Sequence, residues 1–220
     1  MATISERPLR RDAERNRQRI LGSARALFAE RGLGVSLDEI ARHAGVGVGT
    51  VYRRFPDKEQ LIDALFEDRL GEILAVATAS LEMPDPWRAL VHFIQRSMEL
   101  QVEDRALKEL LHSTATGHAR IERGRQRIQP IVETLLERAR QAGVVREDLA
   151  VSDLLLLQHA IGEAAEYTRE VAPEAWRRTM SIMLDGLRPD RRRPSPMPAP
   201  PLDDKQVICS MRDWGLRRHR

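Results

Sequence analysis

The sequence of 220 residues has little cysteine and few aromatic residues: Cys209 is the one cysteine, and Phe, Trp and Tyr together make up 4%. One cysteine excludes an intrachain disulfide and a cysteine cluster that binds a metal ion. No apolar run approaches the roughly 20 residues that cross a bilayer. The first residues also lack the apolar stretch of a secretory signal. These absences predict a cytoplasmic protein that does not contact a membrane.

Lysine is scarce as well, with 3 lysines beside 33 arginines, and the formal net charge of +3 is unevenly distributed. Residues 1–60 hold 12 Arg and Lys against 8 Asp and Glu, whereas residues 61–188 hold 16 against 21. Residues 189–220 are basic again, with 8 against 4. A basic first segment on an acidic body favours a nucleic-acid contact at one end, although chance scatter also produces differences of this size.

Apolar residues recur at spacings of three and four along most of the chain, and no segment alternates with the period of two that is typical of strands. We therefore expect an all-α protein of about nine helices. Pro130 should kink its helix or mark a restart, and Gly143 should end it. The predicted helices outside residues 36–57 span about 12–31, 58–80, 86–101, 104–113, 118–142, 151–169 and 174–187.

Residues 36–61 carry the most informative pattern. Ser36 and Glu39 have the spacing of a capping box, so a helix should begin there, and Asp57 with Gln60 repeats this spacing for the helix that begins near residue 58. The segment 45–47 contains two glycines, which tolerate a positive φ and should end that helix. A second short helix follows, in which Val51 and Phe55 face the core while Thr50, Tyr52, Arg53 and Arg54 point away from it. This arrangement predicts a helix–turn–helix whose second helix reads DNA.

Residues 15–66 resemble the N-terminal domain of the TetR (tetracycline repressor-like) family of transcriptional regulators. Two positions depart from the family pattern: Val48 stands where many relatives carry a polar or basic base-reading residue, and Arg54 stands where His is frequent. The resemblance rests on Ile20, Ala24, Leu27, Phe28, Gly32, the helix at 36–44, Gly45, Val46, Gly49, Thr50, Val51, Tyr52, Phe55, Pro56, Asp57, Lys58 and Leu61.

The resemblance implies DNA contacts by seven residues: Val48, Gly49, Thr50, Tyr52, Arg53, Arg54 and Lys58. Gly49 would let the helix backbone approach the groove, and Arg53 is the best candidate for reading guanine through two hydrogen bonds. The hydroxyl groups of Thr50 and Tyr52, together with Arg54 and Lys58, would contact phosphates. Tyr52 as plain packing and Arg53 as a solvated surface group are the alternatives.

The predicted helix at 151–169 is apolar around its whole circumference because it contains four consecutive leucines, residues 154–157. Such a helix must be covered on more than one side. One account is that a second copy of the chain covers it, and the resemblance implies a four-helix dimer interface at this position. The other account is that its own domain encloses it.

The resemblance also implies an effector pocket in the acidic body. Its candidate residues offer apolar walls and polar anchors, although ordinary core packing explains most of the apolar ones equally well. These candidates are Trp87, His92, Phe93, Arg96, His112, Gln158 and His159. Residues 1–60 would form the helix–turn–helix domain, 61–188 a helical domain for effector binding and dimerisation, and 189–220, with six of the twelve prolines, a disordered tail.

Little in the sequence indicates catalysis. His159 and Glu163 lie four positions apart on a predicted helix, a spacing that can bind a metal ion, but no third ligand is near them in sequence. A polar pocket or surface pair is the commoner interpretation. We therefore predict no enzymatic activity, no metal ion and no cofactor.

Two functions remain. The first is a regulator, usually a repressor, that binds a palindromic operator in double-stranded DNA as a homodimer and is released by a small molecule. The second is a DNA-binding or scaffolding dimer that responds to no effector.

Overall fold

A computed structural model describes residues 6–104 and 117–189, and within these ranges the protein is all-helical. The prediction of an all-α fold is confirmed, but the described residues contain eight α-helices rather than about nine. The predicted helix near 104–113 lies outside the described residues apart from Asp104, and so does the predicted tail after Pro189. The eight helices are α1 (Glu6–Arg31), α2 (Leu37–Ala44), α3 (Val48–Arg54), α4 (Lys58–Leu81), α5 (Pro86–Glu103), α6 (Gly117–Gln141), α7 (Val151–Thr168) and α8 (Ala175–Leu187).

The described residues form two compact units. The first unit comprises residues 6–72, 104 and 117–124, and the second comprises residues 73–103 and 125–189. No described helix is both long enough and apolar enough to cross a membrane.

The core of the first unit follows the predicted helix faces. Side chains at the predicted positions of α1 and α2 are buried, as are Val51, Phe55, Leu61 and Leu65. Charged side chains also lie inside this unit: Arg69 donates two hydrogen bonds to the carboxylate of Asp104, and the nearly buried Arg120 donates to Asp63. The buried positions of α1 and α2 are Ile20, Ala24, Leu27, Phe28, Leu37, Ile40, Ala41 and Ala44.

The second unit is built around α7, which packs against both α5 and α8. The predicted core positions Leu90, Phe93, Ile94 and Met98 of α5 are buried, whereas Trp87 is only partly buried. Helix α6 runs through Pro130 without interruption, so the prediction of a restart there is wrong. Gly143 follows this helix with a φ of 64°, as a left-handed terminating residue should.

Candidate nucleic-acid interface

Helix α2 begins at a complete capping box. The backbone N–H of Glu39 donates to Ser36 Oγ at 3.2 Å, and the backbone N–H of Ser36 donates to Glu39 Oε2 at 2.9 Å. The hydrogen bond from the Ser36 backbone, followed by that from the Arg31 guanidinium, lowers the pKa of Glu39 to about 2. Two amide groups at the start of the helix are therefore satisfied by an ionised carboxylate and a hydroxyl, as the sequence spacing predicts.

The turn between α2 and α3 requires glycine at position 45. Gly45 has a φ of 63° and a ψ of 38°, and Val46 N–H donates to Ala41 O at 3.1 Å across the end of α2. A Cβ at residue 45 would lie 2.8 Å from Arg19 Nη2, which donates to Gly45 O at 3.2 Å. One backbone hydrogen bond thus connects the turn to α2, and the Arg19 guanidinium connects it to α1. These two contacts fix the direction of α3 relative to α2.

Helix α3 is a short helix with one buried side. Val51 is fully buried and Phe55, directly after the helix, is 4% exposed. Because successive helix residues are rotated by about 100°, Gly49 and Arg53 lie on the side opposite these two anchors. A Cβ at Gly49 would meet no atom within 4 Å, so the glycine leaves room for a partner from outside rather than for the protein's own packing.

The exposed side chains of α3 divide into two flanks beside the line of Gly49 and Arg53. Val48 and Tyr52, one helical turn apart, form the first flank and are 40% and 45% exposed. Thr50 and the exposed Arg54 form the second. Arg53 Nη2 donates to Thr50 Oγ1 at 3.3 Å, which orients the guanidinium along the helix surface. One donor is used there, and a guanidinium carries five.

The carboxylate of Asp38 on α2, acting as a hydrogen-bond acceptor and as a negative charge, raises the pKa of the Tyr52 hydroxyl. A phenol has one hydrogen to donate, and both carboxylates and phosphates only accept. The Tyr52 hydroxyl can therefore donate to Asp38 or to a phosphate, but not to both at once. The sequence spacing did not reveal this partner, because nothing in the pattern distinguishes Asp38 from other exposed residues in the first turn of α2.

Helix α4 starts directly behind α3 with its own cap. The Gln60 backbone N–H donates to Asp57 Oδ1 at 2.8 Å, as in a capping box, whereas the Gln60 side chain donates through Nε2 to Asp57 Oδ2 at 3.1 Å. Lys58 is the first residue of the helix and is partly exposed. Its ammonium group lies at a helix N-terminus, where amide groups also favour an anion.

The predicted effector residues are spread over the second unit. Phe93 is buried in the core, and the Arg188 guanidinium stacks on the Trp87 ring at 4.3 Å, so both rings have partners within the protein. His92 Nδ1 lies 2.9 Å from Ser80 Oγ. Arg96 is exposed and forms an ion pair with Glu99, His159 is exposed, Gln158 is half-buried, and His112 lies outside the described residues.

Two polar atoms of uncharged side chains in this unit stand out. Ser97 Oγ on α5 and Gln158 Nε2 on α7 are buried without a hydrogen-bond partner in the protein. The sequence identified Gln158 but missed Ser97, which lies among the buried apolar positions Ile94 and Met98 of the same helix. A serine within a helical apolar stripe was the one available signal. No group of three or more His, Cys, Asp or Glu residues in the described part of the chain is placed to hold a metal ion.

A capped α2, a left-handed turn and an exposed basic α3 define the helix–turn–helix class of DNA-binding regulators. Comparison with known proteins gives the family. Residues 20–65 match the family described as bacterial regulatory proteins of the tetR family, and residues 85–189 match the C-terminal domain of SbtR-like transcriptional regulators.

Solved structures agree over most of the chain. A TetR transcriptional regulator from Streptomyces coelicolor shares 31% identity, with 79% of this chain and 98% of that chain covered and a TM-score of 0.63. A TetR regulatory protein from Mycobacterium vanbaalenii shares 35% identity, with 82% and 99% covered and a TM-score of 0.59. The chain belongs to the TetR family of transcriptional regulators, which confirms the resemblance seen in the sequence.

Curated relatives match more locally. An HTH-type transcriptional regulator of Staphylococcus aureus strain USA300 is 48% identical over 54 residues, which are 24% of this chain and 29% of that protein. A second one, from a bovine strain, is 30% identical over 115 residues, which are 51% of this chain and 60% of that protein. The chain therefore spans less than two thirds of the length of these curated relatives.

Proposed function

We propose that this protein regulates transcription by inserting α3 into the major groove of a DNA operator. The observation that carries the proposal is the outward side of α3, where Gly49 and Arg53 lie opposite the buried Val51 and Phe55. The absence of a side chain at Gly49 permits close approach, and Arg53 retains donors for the two acceptors of a guanine edge. Since its target is chromosomal DNA, we place the protein in the cytoplasm.

Phosphate contacts would fix the register of α3. Arg54 is exposed on the flank of Thr50, and Lys58 stands at the N-terminus of α4. Arg54 is exposed and Lys58 is partly exposed, and the helix that Lys58 begins is anchored by the fully buried Leu61 and Leu65. Contacts of this kind contribute affinity without sequence information.

The test is binding of the full chain to duplexes selected from a random-sequence library. Replacing Arg53 with Ala should cost about 1–3 kcal/mol and relax the preference at one base pair per half-site. Arg42, an exposed arginine in the last turn of α2, supplies a control in which Ala should leave the base preference unchanged. If the Arg53 variant loses affinity equally for all sequences, the residue is a phosphate clamp and not a base reader.

We further propose that the regulator acts as a homodimer. Leu155 and Leu156 of α7 are 54% and 66% exposed, and Ile182 of α8 is 55% exposed, on two helices that pack together. Leu154 is buried and Leu157 half-buried, so the second unit covers only one side of the leucine run. A second copy would cover the other side and present two α3 helices to a palindrome, about 34–36 Å apart or somewhat more.

The second unit is also our candidate for effector binding. Ser97 and Gln158 lie on α5 and α7, which pack against each other, and each leaves a buried polar atom without a protein partner. An unsatisfied buried group costs about 1–3 kcal/mol, and a ligand that hydrogen-bonds to it recovers part of this cost. We infer that a small molecule with neutral polar groups binds here and lowers operator affinity, and we propose that the protein is a repressor.

Thermal-shift screening of small metabolites identifies such a ligand, because binding to the folded state raises its apparent stability. Calorimetry with and without operator then tests the switch. We expect a coupling of about 1–3 kcal/mol, with operator weakening the ligand by the same factor by which ligand weakens the operator. Equal ligand affinities in the two titrations would instead favour the DNA-binding dimer that responds to no effector.

A further inference from the structure

We propose that Val48 reads the 5-methyl group of a thymine at one position in each half-site. The inference rests on the proposed DNA binding by α3 and adds a base preference to it. Val48 is the first residue of α3 and one of the large apolar side chains left exposed in the described residues, at 40%. The N-terminal residues of a reading helix are those that meet base edges.

The flank of α3 that carries Val48 presents apolar surface. Val48 and Tyr52 are one turn apart, and side chains at this spacing lie next to each other on a helix. The ring of Tyr52, which is 45% exposed, adds apolar surface beside Val48. The opposite flank, with Thr50 and Arg54, carries the hydroxyl and guanidinium groups. The two flanks of this short helix are therefore suited to different groups of the DNA: the apolar flank to methyl groups and the polar flank to hydrogen-bonding groups.

The chemistry of the groove selects thymine for the apolar flank. Among the base edges of the major groove, thymine alone presents a methyl group, and the other edges present hydrogen-bond donors and acceptors. A valine isopropyl group can bury the methyl group but cannot replace the water that hydrates a donor or acceptor. Val48 therefore favours thymine by contact and disfavours the other bases by leaving their polar groups unpaired.

Room for this contact comes from the neighbours of Val48. Gly47 precedes it as the N-cap and offers no side-chain hydrogen bond to the helix, and Gly49 follows it with open space where a Cβ would be. Neither neighbour has a side chain that would hold the helix end away from the base pairs. Val48 is thus an exposed apolar side chain at this end of α3 with a glycine on each side.

Deoxyuridine, which lacks only the methyl group, provides the test. In an operator selected by the full chain, each thymine is replaced in turn by deoxyuridine in both half-sites, and affinity is measured by fluorescence anisotropy. We expect one position at which the wild-type protein loses about fourfold per half-site, the value for one buried methyl group. Wild-type binding that is unchanged by deoxyuridine at every position would overturn the inference.

Variants separate a methyl contact from a general loss of binding. Val48→Ala should bind the thymine and deoxyuridine operators with nearly equal affinity, whereas Val48→Thr, which keeps one methyl group, should retain part of the discrimination. Arg54→Ala is the control and should weaken both operators by the same factor. Circular dichroism checks that each variant folds.

A Val48→Ala variant that still discriminates as the wild type does would assign the thymine contact to another residue and refute the proposal. If the library selection enriches no sequence, the proposed DNA binding itself fails and this inference fails with it. An enriched operator that tolerates deoxyuridine would leave the proposed function intact and reject only the role of Val48.

Discussion

Asp104 should be one of the most sensitive polar positions of the first unit. Its side chain is 6% exposed, and its Oδ2 atom accepts from Arg69 Nε at 3.1 Å and from Arg69 Nη2 at 3.0 Å. Arg25 Nε lies 3.5 Å from the same oxygen. One carboxylate thus connects α1 and α4 of the unit that contains α3, and replacing it changes the environment of two guanidinium groups.

The size of the effect follows from these contacts. A hydrogen bond to a charged group contributes about 1.5–3 kcal/mol to stability. In Asp104→Asn the new amide oxygen can still accept one bond from Arg69 but carries no charge, so this variant should lower the free energy of unfolding by about 2 kcal/mol. Asp104→Ala removes every acceptor and should cost about 3 kcal/mol, at the low end for a broken buried pair, because Arg69 keeps Glu72 at 2.7 Å.

Urea unfolding followed by circular dichroism measures the loss for the whole chain. Tryptophan fluorescence is a poor probe, because Trp87 and Trp176 belong to the second unit. Hydrogen–deuterium exchange of peptides from α1 and the start of α4 then shows whether the loss lies in the first unit. Faster exchange confined to the second unit would contradict the assignment.

A matched control is the exposed pair of Arg146 and Asp148, whose side chains are 48% and 69% exposed. Asp148→Asn should leave the free energy of unfolding nearly unchanged because water screens such a pair. If the Asp104 and Asp148 variants lose equal stability, burial is not what makes the Asp104 contacts valuable, and the reasoning fails.

Three further predictions concern single residues. The pKa of Glu39 is lowered from 4.5 to about 2, so the stability it contributes is complete above pH 4.5 and is lost as the pH falls towards 2. Glu39→Gln keeps the cap but should flatten the pH dependence of the free energy of unfolding between pH 4.5 and 2. A variant that keeps the wild-type pH dependence would contradict this prediction. Lys58→Ala should weaken binding to all duplexes alike and reduce the salt slope by about one per protomer; a sequence-dependent loss would make Lys58 a base reader. Leu156→Asp should shift the protein towards monomer in light scattering, and a stable dimer would place the interface elsewhere.

The local signals of the fold could be predicted from the sequence because each involves residues a few positions apart. Ser36 with Glu39 and Asp57 with Gln60 form the predicted caps, and Gly45 takes the predicted left-handed conformation. The buried stripe of α1 follows from helical spacing in the same way. These features depend on backbone geometry that a neighbouring side chain satisfies on its own, and the residue type at each position is enough to identify them.

Contacts between residues far apart in the sequence were decided by the tertiary structure. The pairs of Arg69 with Asp104 and of Arg120 with Asp63 join residues 35 and 57 positions apart, and nothing in either segment specifies the partner. The same holds for the choice among consecutive leucines on α7, where Leu154 is buried and Leu156 is 66% exposed. All are equally apolar in sequence, and only the packing of α5 and α8 against α7 determines which side remains open to a partner.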